Sequence, residues 1–161
     1  MGKDMTGLNE KISNLIDSGL PVVSLKSDHN DIIVKALTDV SRNTGKAIYV
    51  WSENDGLSRI DAAHIAIPRT QDVGHLLNHL STNKHYGIYV LQNLKSHLNS
   101  SLLWQQFAEC IAATAENNSM LVLLGEEIQL PESLRSLIAQ IWRVRTESGQ
   151  TGPGDVVKKA V

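Results

Sequence analysis

The chain has 161 residues, enough for one hydrophobic core and cramped for two. Its 42% hydrophobic and 20% charged residues exclude a disordered or collagen-like chain. Fifteen Lys plus Arg against seventeen Asp plus Glu leave a formal charge of −2. That balance exerts no global pull on nucleic acid or an anionic membrane, so a nucleic-acid partner is not expected. The lone cysteine, Cys110, excludes an internal disulfide framework and every multi-cysteine metal site. No apolar run approaches the roughly 18 residues of a membrane helix, and the amino terminus lacks a signal peptide's basic-then-apolar layout. A cytoplasmic protein without membrane insertion is expected.

Helical and strand periodicities alternate along the chain. Leu8, Ile12, Leu15 and Ile16 repeat at helical spacing, and Gly19 and Pro21 end that pattern. Pro21-Val22-Val23-Ser24-Leu25 is rich in β-branched residues and has the length of a buried strand. Asp28 is placed to cap a second helix whose face is Ile32, Ile33, Ala36, Leu37 and Val40. Gly45 closes it, because glycine accepts the left-handed cap conformation. Ala47-Ile48-Tyr49-Val50-Trp51 then forms a second strand, completing a β-α-β unit with parallel strands.

Residues 52–70 read as a connection, with Gly56 at a turn and a short helical or extended piece around 62–67. Val73, Leu76, Leu77 and Leu80 mark a third helix, followed by the strand Gly87-Ile88-Tyr89-Val90-Leu91. Leu103, Phe107, Cys110, Ile111 and Thr114 share a face of a fourth helix, with Trp104 at its edge. Met120-Leu121-Val122-Leu123-Leu124 is the strongest strand. Pro131 suits the first turn of a last helix carrying Leu134, Leu137 and Ile138. Ile141-Trp142-Arg143-Val144 completes a five-stranded, mainly parallel sheet as its edge. Residues 1–146 are thus expected to form one three-layer α/β/α sandwich, and the polar, glycine-rich 147–161 a flexible tail.

In an open parallel sheet ligands bind beyond the carboxyl ends of the strands. A phosphate loop there needs glycines, so that backbone N–H groups can wrap the phosphate, and a Lys-Ser/Thr pair. After the first strand stands Lys26-Ser27-Asp28-His29-Asn30-Asp31, with no glycine and two carboxylates. The strand ending at Leu91 continues Gln92-Asn93-Leu94, without the acidic residues that would hold magnesium. No Gly-x-Gly-x-x-Gly or Gly-x-Ser-x-Gly occurs. No catalytic constellation emerges, and neither enzyme activity nor a cofactor is expected. Lys26, Ser27, Trp51, Asn93 and Lys95 are the candidate ligand-binding residues. Trp51 has two readings: an indole that stacks on a base, or a packed boundary residue. Trp104 and Trp142 are candidate partner-binding residues. Projection of the third helix at roughly 100° per residue groups Asp72, His75 and His79, a weak candidate zinc set; the missing Glu of a His-Glu-x-x-His favours a solvated helix face. Cys110, on an apolar face, reads as a small core residue.

Several segments together resemble the N-terminal domain of a family of AAA-type ATPases found in cyanobacteria, other bacteria and chloroplast genomes. They are Leu20 to Leu25, Tyr49-Val50-Trp51-Ser52 with Gly56-Leu57, Gly87 to Leu91, Leu121 to Leu124, and Leu130-Pro131-Glu132 with Leu134. The similarity spans roughly residues 8 to 145. It implies a P-loop NTPase-like fold with AAA strand order 5-1-4-3-2 that has lost its Walker sequences, while a following AAA module carries ATP hydrolysis. It transfers no active site to this sequence.

Three functional readings follow. The first is a non-catalytic protein-interaction or regulatory module that partners an active ATPase or itself. The second is an atypical nucleotide binder using Lys26, Ser27, Trp51 and Asn93. The third is an inactive subunit of a multiprotein ATPase or DNA-handling machine, with Arg135, Arg143 and Arg145 as a local basic patch.

Overall fold

The computed structural model describes residues 2–27, 29–83, 85–125, 140–144 and 156–158. In chain order its elements begin with α1 (Gly2–Asp17), β1 (Val22–Ser27), α2 (Asn30–Thr44) and β2 (Ile48–Ser52). Next come β3 (Gly56–Arg59), β4 (Ala62–Ala66), α3 (Val73–Thr82), β5 (Ile88–Gln92) and a 3-10 turn, Leu94–His97. The remaining elements are α4 (Ser101–Glu116), β6 (Met120–Gly125), β7 (Gln140–Val144) and β8 (Val156–Lys158).

The strands form one eight-stranded sheet in the order β4-β3-β2-β5-β6-β1-β7-β8. Pairings β2 to β5, β5 to β6, β6 to β1 and β1 to β7 are all parallel. Numbered among themselves, these five strands run 5-1-4-3-2. β6 lies centrally and is buried along its whole length. Its residues split by the two-residue period of a strand: Leu121 and Leu123 face one core, Met120, Val122 and Leu124 the other.

Helices cover both faces. Leu8, Ile12, Leu15 and Ile16 of α1 and Ile33, Ala36, Leu37 and Val40 of α2 share a core with Val23, Leu25, Ile48, Ile88 and Val90. Leu76, Leu77 and Leu80 of α3 and Phe107, Cys110 and Ile111 of α4 cover the opposite face with Trp51, Tyr89 and Leu91. The helical stripes seen in the sequence are the surfaces that meet the sheet. Gly45 closes α2 with φ +77°, its N–H reaching the Ser41 carbonyl at 2.8 Å.

Four expectations change or fall outside the described residues. The sheet gains three antiparallel strands beyond the parallel five. The 52–70 connection is a hairpin, β3 and β4, that extends the sheet beyond β2. The piece around 62–67, left as helical or extended by the sequence, is extended over Ala62–Ala66; the strand at Gly56–Arg59 has no sequence counterpart, because Gly-Leu-Ser-Arg has little local strand propensity. Long-range bonds fix it instead: the Leu57 N–H donates to Thr70 Oγ1 at 2.7 Å, and the Trp51 indole N–H to the Thr70 carbonyl. Val156–Lys158, placed in the flexible tail by sequence, pairs antiparallel with β7. The helix expected after Pro131 lies outside the described residues, as do Arg135 and Arg145.

Candidate functional site

The carboxyl ends of β1, β2, β5 and β6 converge at one end of the sheet, where the sequence placed its candidate ligand residues. Lys26 and Ser27 end β1; Lys26 is in register with Gly125 on one side and Arg143 on the other. The Ser27 hydroxyl accepts the His29 N–H at 3.0 Å. This turn delays α2 by one residue, so the cap position falls to His29, whose side chain makes no capping bond. Asp28, expected to cap, lies outside the described residues.

Asn93 follows β5 in a left-handed conformation, φ +53°, with its N–H donated to the Leu124 carbonyl at 2.9 Å. Its Oδ1 occupies the space that a Cβ on Gly125 would need, and Gly125 itself has φ +138°. Lys26 and Asn93 therefore flank Gly125, one by strand register and one by side-chain packing. Lys95 stands in the 3-10 turn, and its side chain lies outside the described residues.

Of the two readings of Trp51, its placement is that of a packed residue. Its side chain has 0% exposure, its indole N–H is bonded to Thr70, and its ring meets His97 edge-to-face at 5.3 Å. An indole buried with Thr70 and His97 as its polar and ring contacts presents no face to a ligand. The sequence could not show this, since the residues that cover it lie 19 and 46 positions away. The Nε2 of that His97 is 3.7 Å from Glu53 Oε1, a contact with no local sequence signal.

The helix-face histidines separate. Asp72 caps α3 by accepting the His75 N–H at 3.0 Å, and the same Oδ2 lies 3.2 Å from His75 Nδ1. His79 is not drawn into that pair, and burial lowers its pKa from the ordinary value. Among the described residues no three His, Cys, Asp or Glu side chains are arranged to hold a metal ion. The capping role of Asp72 accounts for its position. Cys110 is buried as expected: its thiol donates to the Leu77 carbonyl at 2.9 Å. Burial, with a smaller contribution from Glu109, pushes the thiol up to about 12.

Trp104 is half-buried and packs edge-to-face on Phe107. The Trp142 backbone lies in β7, in register with Leu25; its side chain lies outside the described residues. At the amino ends of the strands, unanticipated from sequence, a cavity of about 190 Å³ is lined by Ile16, Leu20, Tyr86, Ser119 and Met120 and by the Lys46–Asp17 ion pair. No described helix is long and apolar enough to cross a membrane.

Comparison with known proteins gives the lineage of this arrangement. Residues 8–142 match the family described as SpoVK-like AAA ATPase, N-terminal domain. Among solved structures, a DNA replication initiation factor superposes with TM-score 0.53 at 9% identity, over 85% of this chain and 44% of that one. The replication initiator DnaA, bound to AMPPCP and single-stranded DNA, superposes with TM-score 0.50 at 9% identity, over 81% of this chain and 41% of that one. This chain thus spans less than half of either structure, and at such identity the likeness is one of fold. No curated protein matches the sequence.

Proposed function

The chain belongs to the family of SpoVK-like AAA ATPase N-terminal domains, and from that premise we propose that it is a non-catalytic interaction module of an AAA-related machine. Its partner is a protein: an active ATPase or further copies of itself. The observation that carries this reading is the set of contacts that the described residues at the carboxyl ends of the strands make with one another. Asn93 packs against Gly125, Ser27 takes the N–H of His29, and the buried Trp51 indole is bonded to the Thr70 carbonyl. A nucleotide site on such a sheet needs open backbone N–H groups after the first strand and acidic magnesium ligands at the strand ends. The sequence offers Lys26-Ser27-Asp28-His29 and Gln92-Asn93 there instead.

The test is calorimetric titration of the full chain with ATP and ADP, with and without Mg²⁺, its folding verified by circular dichroism. No heat at millimolar nucleotide is the expected result. Saturable binding abolished by Lys26→Ala would overturn the proposal in favour of an atypical nucleotide binder. Sedimentation equilibrium on the same sample then separates self-association from a need for a different partner.

A further inference from the structure

The loops that enter β1, β2, β5 and β6 gather at the amino ends of the strands and line the cavity of about 190 Å³. Hydrogen bonds hold these loops in place. The Ser18 hydroxyl donates to the Leu15 carbonyl at 2.5 Å and accepts the Leu20 N–H at 3.3 Å. The Lys46 carbonyl accepts the Ser41 hydroxyl at 2.8 Å, and the Ser119 hydroxyl accepts the Gly87 N–H at 3.1 Å. Ile16, Leu20 and Met120 supply apolar lining, and Tyr86, 47% exposed, adds an aromatic ring. The ion pair Lys46 Nζ to Asp17 Oδ1, at 3.3 Å, supplies both charges. Two of the lining residues run against local preference. Asp17 is the last residue of α1, where the negative end of the helix dipole disfavours a carboxylate. Asn118 takes the left-handed conformation, φ +58°, uncommon outside glycine. Locally unfavourable choices that converge on one cavity point to a site.

We infer that this cavity binds a free α-amino acid with an apolar side chain. An α-amino acid carries its ammonium and carboxylate on one carbon, and Asp17 and Lys46 present the opposite charges side by side. The ligand carboxylate meets Lys46 and the ammonium meets Asp17, each through charge-assisted hydrogen bonds. These two side chains are 59% and 33% exposed, so the charged end of the ligand stays at the solvated rim. Its side chain displaces water from Ile16, Leu20 and Met120 and lies against Tyr86, the apolar and aromatic lining usual for a small-molecule pocket. A cavity of about 150 Å³ encloses benzene, so one of about 190 Å³ admits a side chain the size of Leu, Met or Phe. It is too small for a nucleotide and lies at the opposite end of the sheet from Lys26 and Asn93. The inference therefore goes beyond the functional reading above and stands whatever nucleotide titration shows.

The experiment is an amide NMR titration of the full chain with L-leucine, L-methionine and L-phenylalanine. Glycine, 3-phenylpropionate and phenethylamine serve as controls that lack the side chain, the ammonium and the carboxylate. At least one of the three amino acids is expected to give saturable shifts centred on Gly19, Leu20, Lys46, Tyr86 and Met120. Each control should bind about tenfold or more weakly, since it leaves one part of the site unfilled or one charge unmatched. Asp17→Asn and Lys46→Met should each weaken binding by a similar factor. Both side chains reach solvent, so the fold persists, and the rest of the spectrum verifies it. Absence of saturable shifts with all three amino acids at about 20 mM overturns the inference. Equal binding of any control overturns it too, as does an affinity that both charge substitutions leave unchanged.

Discussion

The carboxamide oxygen of Asn93 stands where a side chain on Gly125 would have to go, so the loop leaving β5 closes over the end of β6. Two constraints meet at Gly125: that oxygen, and a backbone φ of +138° that side-chain-bearing residues rarely adopt. Gly125→Ala is therefore expected to cost about 1–3 kcal/mol, read as a lower urea midpoint. Asn93→Gly in the same background relieves the collision and leaves the backbone strain. The double-mutant cycle should recover part of the loss; full recovery would mean that φ at Gly125 is unimportant.

Thr70 is the knot of the β3–β4 hairpin. Its hydroxyl accepts the Leu57 N–H and donates to the Ile67 carbonyl, both at 2.7 Å, while its own carbonyl holds Trp51. Thr70→Val keeps the shape and strands the Leu57 N–H in a buried setting. The expected cost is about 1–3 kcal/mol, with faster amide exchange across 56–66. An unchanged exchange pattern would show that the hairpin is held by apolar packing alone.

Alkali should unfold this protein before it damages it. Burial holds the Cys110 thiol near 12, and burial with the neighbouring Tyr49 raises Tyr89 to about 12 against the opposing hydrogen bond from Asn83. Both groups are neutral when protonated and keep their protons longer in the folded state than in the unfolded chain. Stability is therefore intact below the ordinary values of 9.0 and 10.0 and falls as pH climbs from those values toward 12. Urea midpoints at pH 8, 9, 10 and 11 should decline progressively. Cys110→Ala should flatten the earlier part of that decline, although it removes a core side chain.

Asp72 caps α3. Asp72→Ala is expected to cost about 1 kcal/mol through loss of the bond to the His75 N–H. Equimolar Zn²⁺ should leave the melting temperature of the wild type unchanged. A rise that disappears in His75→Ala and His79→Ala would restore the zinc reading of that helix face.

Gly87 approaches the Tyr89 ring so closely that an added Cβ would lie 2.6 Å from the phenolic oxygen. Tyr89 cannot easily retreat: it stacks on Tyr49 at 5.4 Å, and its hydroxyl accepts from the Asn83 side chain at 2.7 Å. Gly87→Ala should cost about 1–3 kcal/mol, an overpacking penalty. Tyr89→Phe removes the oxygen but keeps Cζ, which the added Cβ would meet at 2.7 Å, so it should relieve only part of that penalty; an equal penalty in both backgrounds would place the collision at the ring carbons.

The apolar periodicities of this chain sufficed for the helical stripes at 8–16, 32–40, 73–80 and 103–114, the five parallel strands and the two-sided core. Val22 to Leu25, Ile88 to Leu91 and Met120 to Leu124 are hydrophobic on both faces, which only a sheet covered by helices on each side accommodates. Gly45 and the buried Cys110 were legible for the same local reason. Strand β3 was not, because Gly56–Arg59 becomes a strand through Thr70 and Trp51 and not through its own residues. The site residues divide along this line. That positions 26–31 hold no glycine is a fact of sequence. That Trp51 is enclosed, that Asn93 fills the place beside Gly125 and that His97 reaches Glu53 were decided by tertiary structure, because each joins residues 19 to 46 positions apart that come together only when β2, β5 and β6 align.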